Sequence, residues 1–202
     1  DGRVLPFGGQ SLNDHSYLPD LIERTWDKEN KATKNIFKNS EYLWTYGPEM
    51  NEVVSDRKLE NFKATSVGYK NAGYFIMASG DDHVFIDNAP VGYAGRGGHG
   101  HNDCLSFEAV IQGSPIITDS GSFVYTADYK KRNEFRGTLA HNTPFIDGKE
   151  QNSFISNKEL FSLKYEAIPT LHAWQVNDEK DTFCGSHSGY KFLENPVIPH
   201  RK

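Results

Sequence analysis

From about residue 63 onward the chain runs as short β-prone segments, each closed by a turn signal, and this cadence limits its fold more than any other feature. The segments 64–69, 74–78, 83–88, 106–112, 116–119 and 144–146 are rich in branched and aromatic residues that suit a pleated surface. Between them, Asn71-Ala72-Gly73, Gly80-Asp81-Asp82, Gly113-Ser114-Pro115, Asp119-Ser120-Gly121 and Asp147-Gly148 combine residues that reverse a chain. No long helix alternates with these strands, which argues against βαβ units and predicts stacked antiparallel sheets. Strands resume over 160–167 and 173–176, whereas the basic stretch 128–138 reads as a loop.

The first sixty residues have a different texture. Residues 1–19 are glycine-rich and polar and read as a loop. Over 18–37, Leu18, Leu21, Ile22, Trp26, Ile36 and Phe37 partly follow helical spacing, with Asp20 and Glu23 early and Lys34 and Lys38 late, as the helix dipole prefers. Residues 39–60, with Gly47-Pro48, read as a connecting loop with a short helical piece, so the chain divides into 1–62 and a β domain over 63–202. Asp1 opens the chain without an initiator methionine or a signal-peptide pattern, and the end at Pro199-His200-Arg201-Lys202 carries no terminating element. Both ends read as cuts from a longer polypeptide.

Composition narrows the function classes. A net charge of -5 and the lack of a basic run give no reason to expect a nucleic-acid partner. No apolar run approaches the roughly 20 residues that a membrane helix needs. Cys104 and Cys184 stand far apart with no metal-type spacing, so a cysteine zinc site is unsupported and a single long-range disulfide stays open.

The chemistry concentrates in residues 95–103, Gly-Arg-Gly-Gly-His-Gly-His-Asn-Asp. In an extended segment His99 and His101 share a face, where they share a metal or divide metal and proton-transfer roles. His101, Asp119 and His141 are candidate metal ligands in chain order, because zinc takes imidazole and carboxylate donors and catalytic sites often have three. Each also has a plainer reading: a histidine in a glycine-rich turn hydrogen-bonds at the surface, and an Asp-Ser-Gly carboxylate caps backbone amides. His99, with glycines on both sides, is the candidate for acid–base work on a polymer. Arg96 and Arg136 are candidates to grip carboxylate or sulfate groups, against the alternative of solvated surface cations. Tyr125 and Tyr129 are either phenolic acids and bases or packed loop residues. Gly-x-Ser-x-Gly is absent, and the glycines of 95–98 lack the following helix that a phosphate loop requires.

Read in order, Gly98-His99-Gly100-His101-Asn102-Asp103 before a strand, Pro-Ile-Ile-Thr-Asp-Ser-Gly over 115–121, Arg-Gly-Thr-x-Ala-His-Asn-Thr over 136–143, Asp147-Gly148 and Gln151 resemble the central β domain of the heparinase II/III family of polysaccharide lyases. The resemblance covers roughly residues 64–152. It implies an N-terminal α/α toroid joined to an antiparallel, supersandwich-like β-sandwich, with 1–62 as the end of the toroid and its linker. It also implies β-elimination at a uronic acid in an acidic polysaccharide, heparin, heparan sulfate or alginate, by a periplasmic or extracellular protein. Position by position, it makes His99 the assisting catalytic histidine and His101, Asp119 and His141 the ligands of a structural zinc. Arg96, Asn102 and Arg136 are then the substrate-binding candidates. The family's catalytic tyrosine, asparagine and further histidine lie on the toroid and have no counterpart here, so the chain by itself is expected to be nearly inactive. A non-catalytic carbohydrate-binding sandwich is the competing class, and a polysaccharide-assembly protein with changed chemistry is a third. A homodimer is left open.

Overall fold

The computed structural model describes residues 65–96 and 99–202, together with the backbone of two short strands, Arg3–Val4 (β1) and Asn13–Asp14 (β2). The chain divides into two compact units, Asp1–Val4 with Leu12–Lys63, and Leu5–Ser11 with Ala64–Lys202. Where the sequence reads as an N-terminal loop, β1 and β2 pair antiparallel with Arg3 opposite Asp14. The helix expected over 18–37 and the connecting loop over 39–60 lie outside the described residues.

The second unit is built on two antiparallel sheets. Val67–Tyr69 (β3), Tyr74–Ser79 (β4), Asp82–Asp87 (β5), Phe107–Ile111 (β6) and Ser114–Ile117 (β7) form a meander in sequence order. Pro169–Val176 (β8), Asp181–His187 (β9) and His200–Arg201 (β10) form the other sheet, with β9 in the middle.

Register decides what each face carries. Phe75 pairs with Ile86, Met77 with Val84, and Ile86 with Phe107. Strand alternation therefore puts these side chains on one face. There they meet Trp174 and Phe183 of the second sheet, with the Phe75 ring 5.1 Å from each of those rings. Phe75, Ile86, Cys104, Leu105 and Phe183 are the buried centre of this sandwich core, with Leu171 and Trp174 packed on it. Gly68 of β3 has a packing reason to be glycine: a Cβ there would lie 2.6 Å from Trp174 Nε1. Both cysteines are free thiols, so no disulfide crosses the sandwich. The opposite face of the meander presents Tyr74, Phe85, Asp87 and Glu108, since Tyr74 pairs with Asp87 and Phe85 with Glu108. That face underlies the polar site.

Some connections differ from the sequence reading. The basic stretch begins not as a loop but as a helix, Tyr129–Phe135 (α1), started by Asp128, whose carboxylate accepts the Lys130 and Lys131 amide N–H groups at 2.9 and 3.0 Å. Two turns are too short for a legible 3.6-residue period, and the residue they bury is Arg132. Residues 144–146 and 160–167 make only isolated bridges, Ile146 with Lys149, Phe154 with Leu163 and Arg96 with Ser162. β8 starts earlier than expected, and β9, with polar residues on both faces, lacks the apolar alternation that marks a strand in sequence. Phe75 joins the two sheets and is fully buried. Phe75→Ala is therefore expected to cost about 3–5 kcal/mol, measured by urea denaturation.

Candidate metal centre and catalytic pair

The loop between β5 and β6 carries the histidines, and its base is closed by the sheet: Asp87 N–H donates to Ser106 O at 3.0 Å and Leu105 N–H to Asp87 O at 2.7 Å. Asn102 pins its middle. The Asn102 side chain is fully buried, its amide donating to Glu150 at 2.8 Å and to Asn152 O at 2.9 Å while its oxygen accepts from the Asn152 amide at 3.0 Å. With every polar atom engaged, Asn102 holds the loop and faces no solvent.

That anchoring sets His101 and Asp103 against His141, which follows a 3-10 turn, Thr138–Ala140. All three are buried, and one donor atom from each lies within 4.8 Å of the others. Asp119 sits directly on His141 Nδ1, and its other oxygen accepts the Gly121 N–H at 2.7 Å. His141 Nε2 and His101 Nδ1 are buried without a hydrogen-bond partner. Two orphaned imidazole nitrogens beside a carboxylate, one ring oriented by a second carboxylate, fit a transition-metal ion. His101, Asp119 and His141 are thus brought together, and Asp103, within the stretch singled out but given no role there, joins them. Its signal was position: two residues after His101, it shares that residue's face in an extended segment.

Charge points the same way. Burial, then the His141 and Arg132 charges, pushes His101 down to about 2, so this imidazole is neutral. Burial works to lower His141, but the Asp119 hydrogen bond and the Asp103 carboxylate outweigh it and raise it. Burial and then Asp103 hold Asp87 well above the ordinary carboxylate range, and burial lifts Glu108 to about 7. Asp87, Glu108, Asp103 and Asp119 are all buried here; burial holds the first two toward their protonated forms, which leaves Asp103 and Asp119 as the carboxylates in reach of the imidazoles.

Arg132 links this centre to a second group. Its guanidinium lies 2.6 Å from His101 Nε2 and 4.9 Å from the centre of the Tyr125 ring. The Tyr125 hydroxyl is 3.1 Å from His99 Nδ1, and the two rings meet edge to face. Both are exposed, unlike the metal group. His99 also lines a pocket of about 200 Å³ with Tyr74, Asp87, Gly100, His101 and Asp103. An accessible imidazole hydrogen-bonded to a phenol is a unit that can take and give protons.

The arginines part company. Arg96 is exposed, on a backbone bridge to Tyr93 and Ser162, next to Gly95, whose positive φ and close approach to Leu163 O exclude a side chain. Arg136 is fully buried. It donates to Glu159 O at 2.6 Å, Leu160 O at 2.8 Å, Ser162 O at 3.2 Å and Asn133 Oδ1 at 2.9 Å, and burial lowers it to about 10. Its charge organises the 159–162 loop. Tyr129 is half exposed on α1 and does not join the His99 pair. Arg136→Met should lose at least about 2 kcal/mol of unfolding free energy with no polysaccharide present, since three carbonyls lose their donor. Lysine, lacking the planar fork, should rescue it only in part. An unchanged urea melt would instead leave Arg136 free for a ligand.

Comparison with known proteins agrees with this fold. The family described as heparinase II/III-like, C-terminal, matches residues 63–202. Among solved structures, a heparinase III gene product is similar with a TM-score of 0.57 and 23% identity over 94% of this chain and 26% of its own. A heparan sulfate lyase from Pedobacter heparinus is similar with a TM-score of 0.56 and 21% identity over 92% of this chain and 25% of its own. The chain thus spans about a quarter of the length of the structures it matches, and at these identities the likeness is one of fold. No curated protein matches the sequence. With the family's motifs, its sandwich and a buried histidine–carboxylate group all in residues 63–202, the chain belongs to the heparinase II/III-like family through that family's C-terminal domain.

Proposed function

We propose that this chain is the β portion of a polysaccharide lyase that cleaves a uronic-acid-containing acidic polysaccharide by β-elimination. The observation that carries the reading is the exposed His99–Tyr125 pair, hydrogen-bonded and seated through Arg132 on a buried histidine–carboxylate centre. β-Elimination needs a base to remove the proton next to the sugar carboxylate, charge to stabilise the enolate that develops, and an acid for the departing oxygen. His99 and Tyr125 offer the proton-transferring groups of this chain. Arg96, exposed on the same loop, is the cation here that can meet a substrate carboxylate, whereas Asn102 and Arg136 support the site from within. The remaining catalytic groups belong to the rest of the protein, so the chain alone has little turnover. Such a substrate assigns the protein to the periplasm or the extracellular space. Among the described residues no helix is long and apolar enough to cross a membrane.

The cation is zinc, held by His101, His141 and a carboxylate drawn from Asp103 and Asp119. When bound, it offsets the charge of the carboxylate that holds it and fixes the His101 loop two residues from His99. The distances favour Asp103, which reaches both imidazoles, with Asp119 orienting His141. Zinc content of Asp103→Asn and Asp119→Asn sorts the roles: loss of the ligand abolishes retention, and loss of the orienting group weakens affinity about 10–100-fold. His101→Ala should lower both zinc content and Tm, because bound metal stabilises the folded state. Zinc retained at the wild-type level in His101→Ala would contradict the assignment.

Activity is tested by unsaturated uronate absorbance with heparan sulfate and alginate on the whole protein. His99→Ala should reduce turnover about 10²–10⁴-fold. A protein that binds either polymer without releasing the unsaturated product is instead a carbohydrate-binding sandwich.

A further inference from the structure

Residues 119–125 form an arm between the two centres. Asp119 ties its start to His141, Ser120 Oγ donates to Ala140 O at 2.9 Å, and Tyr125 meets His99 at its end. Midway, Val124 N–H donates to Ser122 O at 2.6 Å, closing a three-residue turn around Phe123, which has φ of +54°. A three-residue turn with a left-handed centre is a strained form, and a bulky aromatic residue is poorly suited to that region.

The strain does not bury the ring. Phe123 is 68% exposed. One of its faces stacks on Phe135 of α1, with ring centres 5.0 Å apart and planes 23° apart, and the other is left outward. Phe135 stands three residues after Arg132, on the same side of α1, so Phe123 lies on the helix one step along from Tyr125. His99, Tyr125 and Phe123 are all exposed, with Tyr125 against His99 and, two residues before it, Phe123 backed by Phe135 and held by its turn. Among the described residues the stack on Phe135 accounts for one face of the ring only; a glycine would relax the backbone, and the exposed remainder of the ring has no partner that packing supplies.

We propose that Phe123 is a stacking platform for a sugar ring of the polysaccharide, next to the unit that reacts at His99. The inference rests on the lyase reading and deepens it. The face of a pyranose carries C–H groups that suit the negative face of an aromatic ring, while its hydroxyl, carboxylate or sulfate groups point outward from the edge. Phe123 therefore binds the shape common to uronic-acid polymers and leaves the choice among them to charged groups elsewhere. It is a positioning residue, acting on affinity and register, and takes no part in proton transfer.

The test uses Phe123→Gly and Phe123→Trp in the whole protein, with heparan sulfate and alginate oligosaccharides as probes. Phe123→Gly should raise KM about 5–30-fold with kcat nearly unchanged, as expected for the loss of one aromatic anchor. Its Tm should stay within a few degrees of wild type, because the left-handed backbone is then relaxed. Phe123→Trp should restore KM. A KM unchanged in Phe123→Gly overturns the platform while leaving the lyase reading intact. A lowered Tm with unchanged KM overturns it too and shows that the ring packs against another part of the protein. If wild type turns over neither polymer, the lyase reading fails and the platform with it, a result distinct from both.

Discussion

The site depends on one buried hydrogen-bond knot centred on Glu150 and Asn152. One Glu150 oxygen accepts from the Asn102 amide, the Thr138 N–H and the Thr138 hydroxyl, at 2.7 to 2.8 Å. Asn152 accepts from the Glu166 and Ala167 N–H groups at 2.8 Å and donates to Asn102 at 3.0 Å. Four loops, those at 99–103, 138–141, 150–152 and 166–167, are thereby fixed to each other without a strand among them. Backbone groups in buried loops must be satisfied somewhere, and here side chains do what a sheet ladder does elsewhere. Shifting any one loop breaks bonds in the others, and the histidines keep their relative positions for that reason.

The same crowding shapes the electrostatics. Carboxylates are taken out of water where the polar face of the meander meets these loops, and burial holds Asp87 and Glu108 toward their protonated forms. Two arginines enter the interior with different tasks. Arg136 is used up on carbonyls of 159–162. Arg132 touches His101 on one side and Tyr125 on the other, which makes it the physical link between the buried centre and the exposed pair.

The antiparallel β character was legible because β4, β5 and β6 pair apolar alternation with glycine and aspartate turns. Histidines and Asp119 were legible as a group through the order of their motifs, and the structure brings them together. Side-chain destinations were not. Asn102 and Arg136 carry the same polar groups whether they face a ligand or a buried carbonyl, and only the fold decides which. α1 was hidden because its inward residue is an arginine, and Tyr125 was one of two equivalent tyrosines until α1 set Arg132 beneath it. Glu150 offered no local pattern at all, since its partners come from segments distant in sequence.

The division between His99 and His101 follows from one glycine. The two imidazoles are separated only by Gly100, yet His101 is 1% exposed and His99 is open. Asn102 locks the chain just after His101, whereas the His99 side chain contacts the exposed Tyr125. The loop therefore changes within two residues from fully anchored backbone to a surface that meets Tyr125 at its hydroxyl. A metal centre needs the first condition, because its ligands must stay put; proton exchange with a polymer needs the second, because the reacting group must be reached. If the chain acts as proposed, the rigidity of the buried group at His101 defines the position of the exposed His99 without enclosing it.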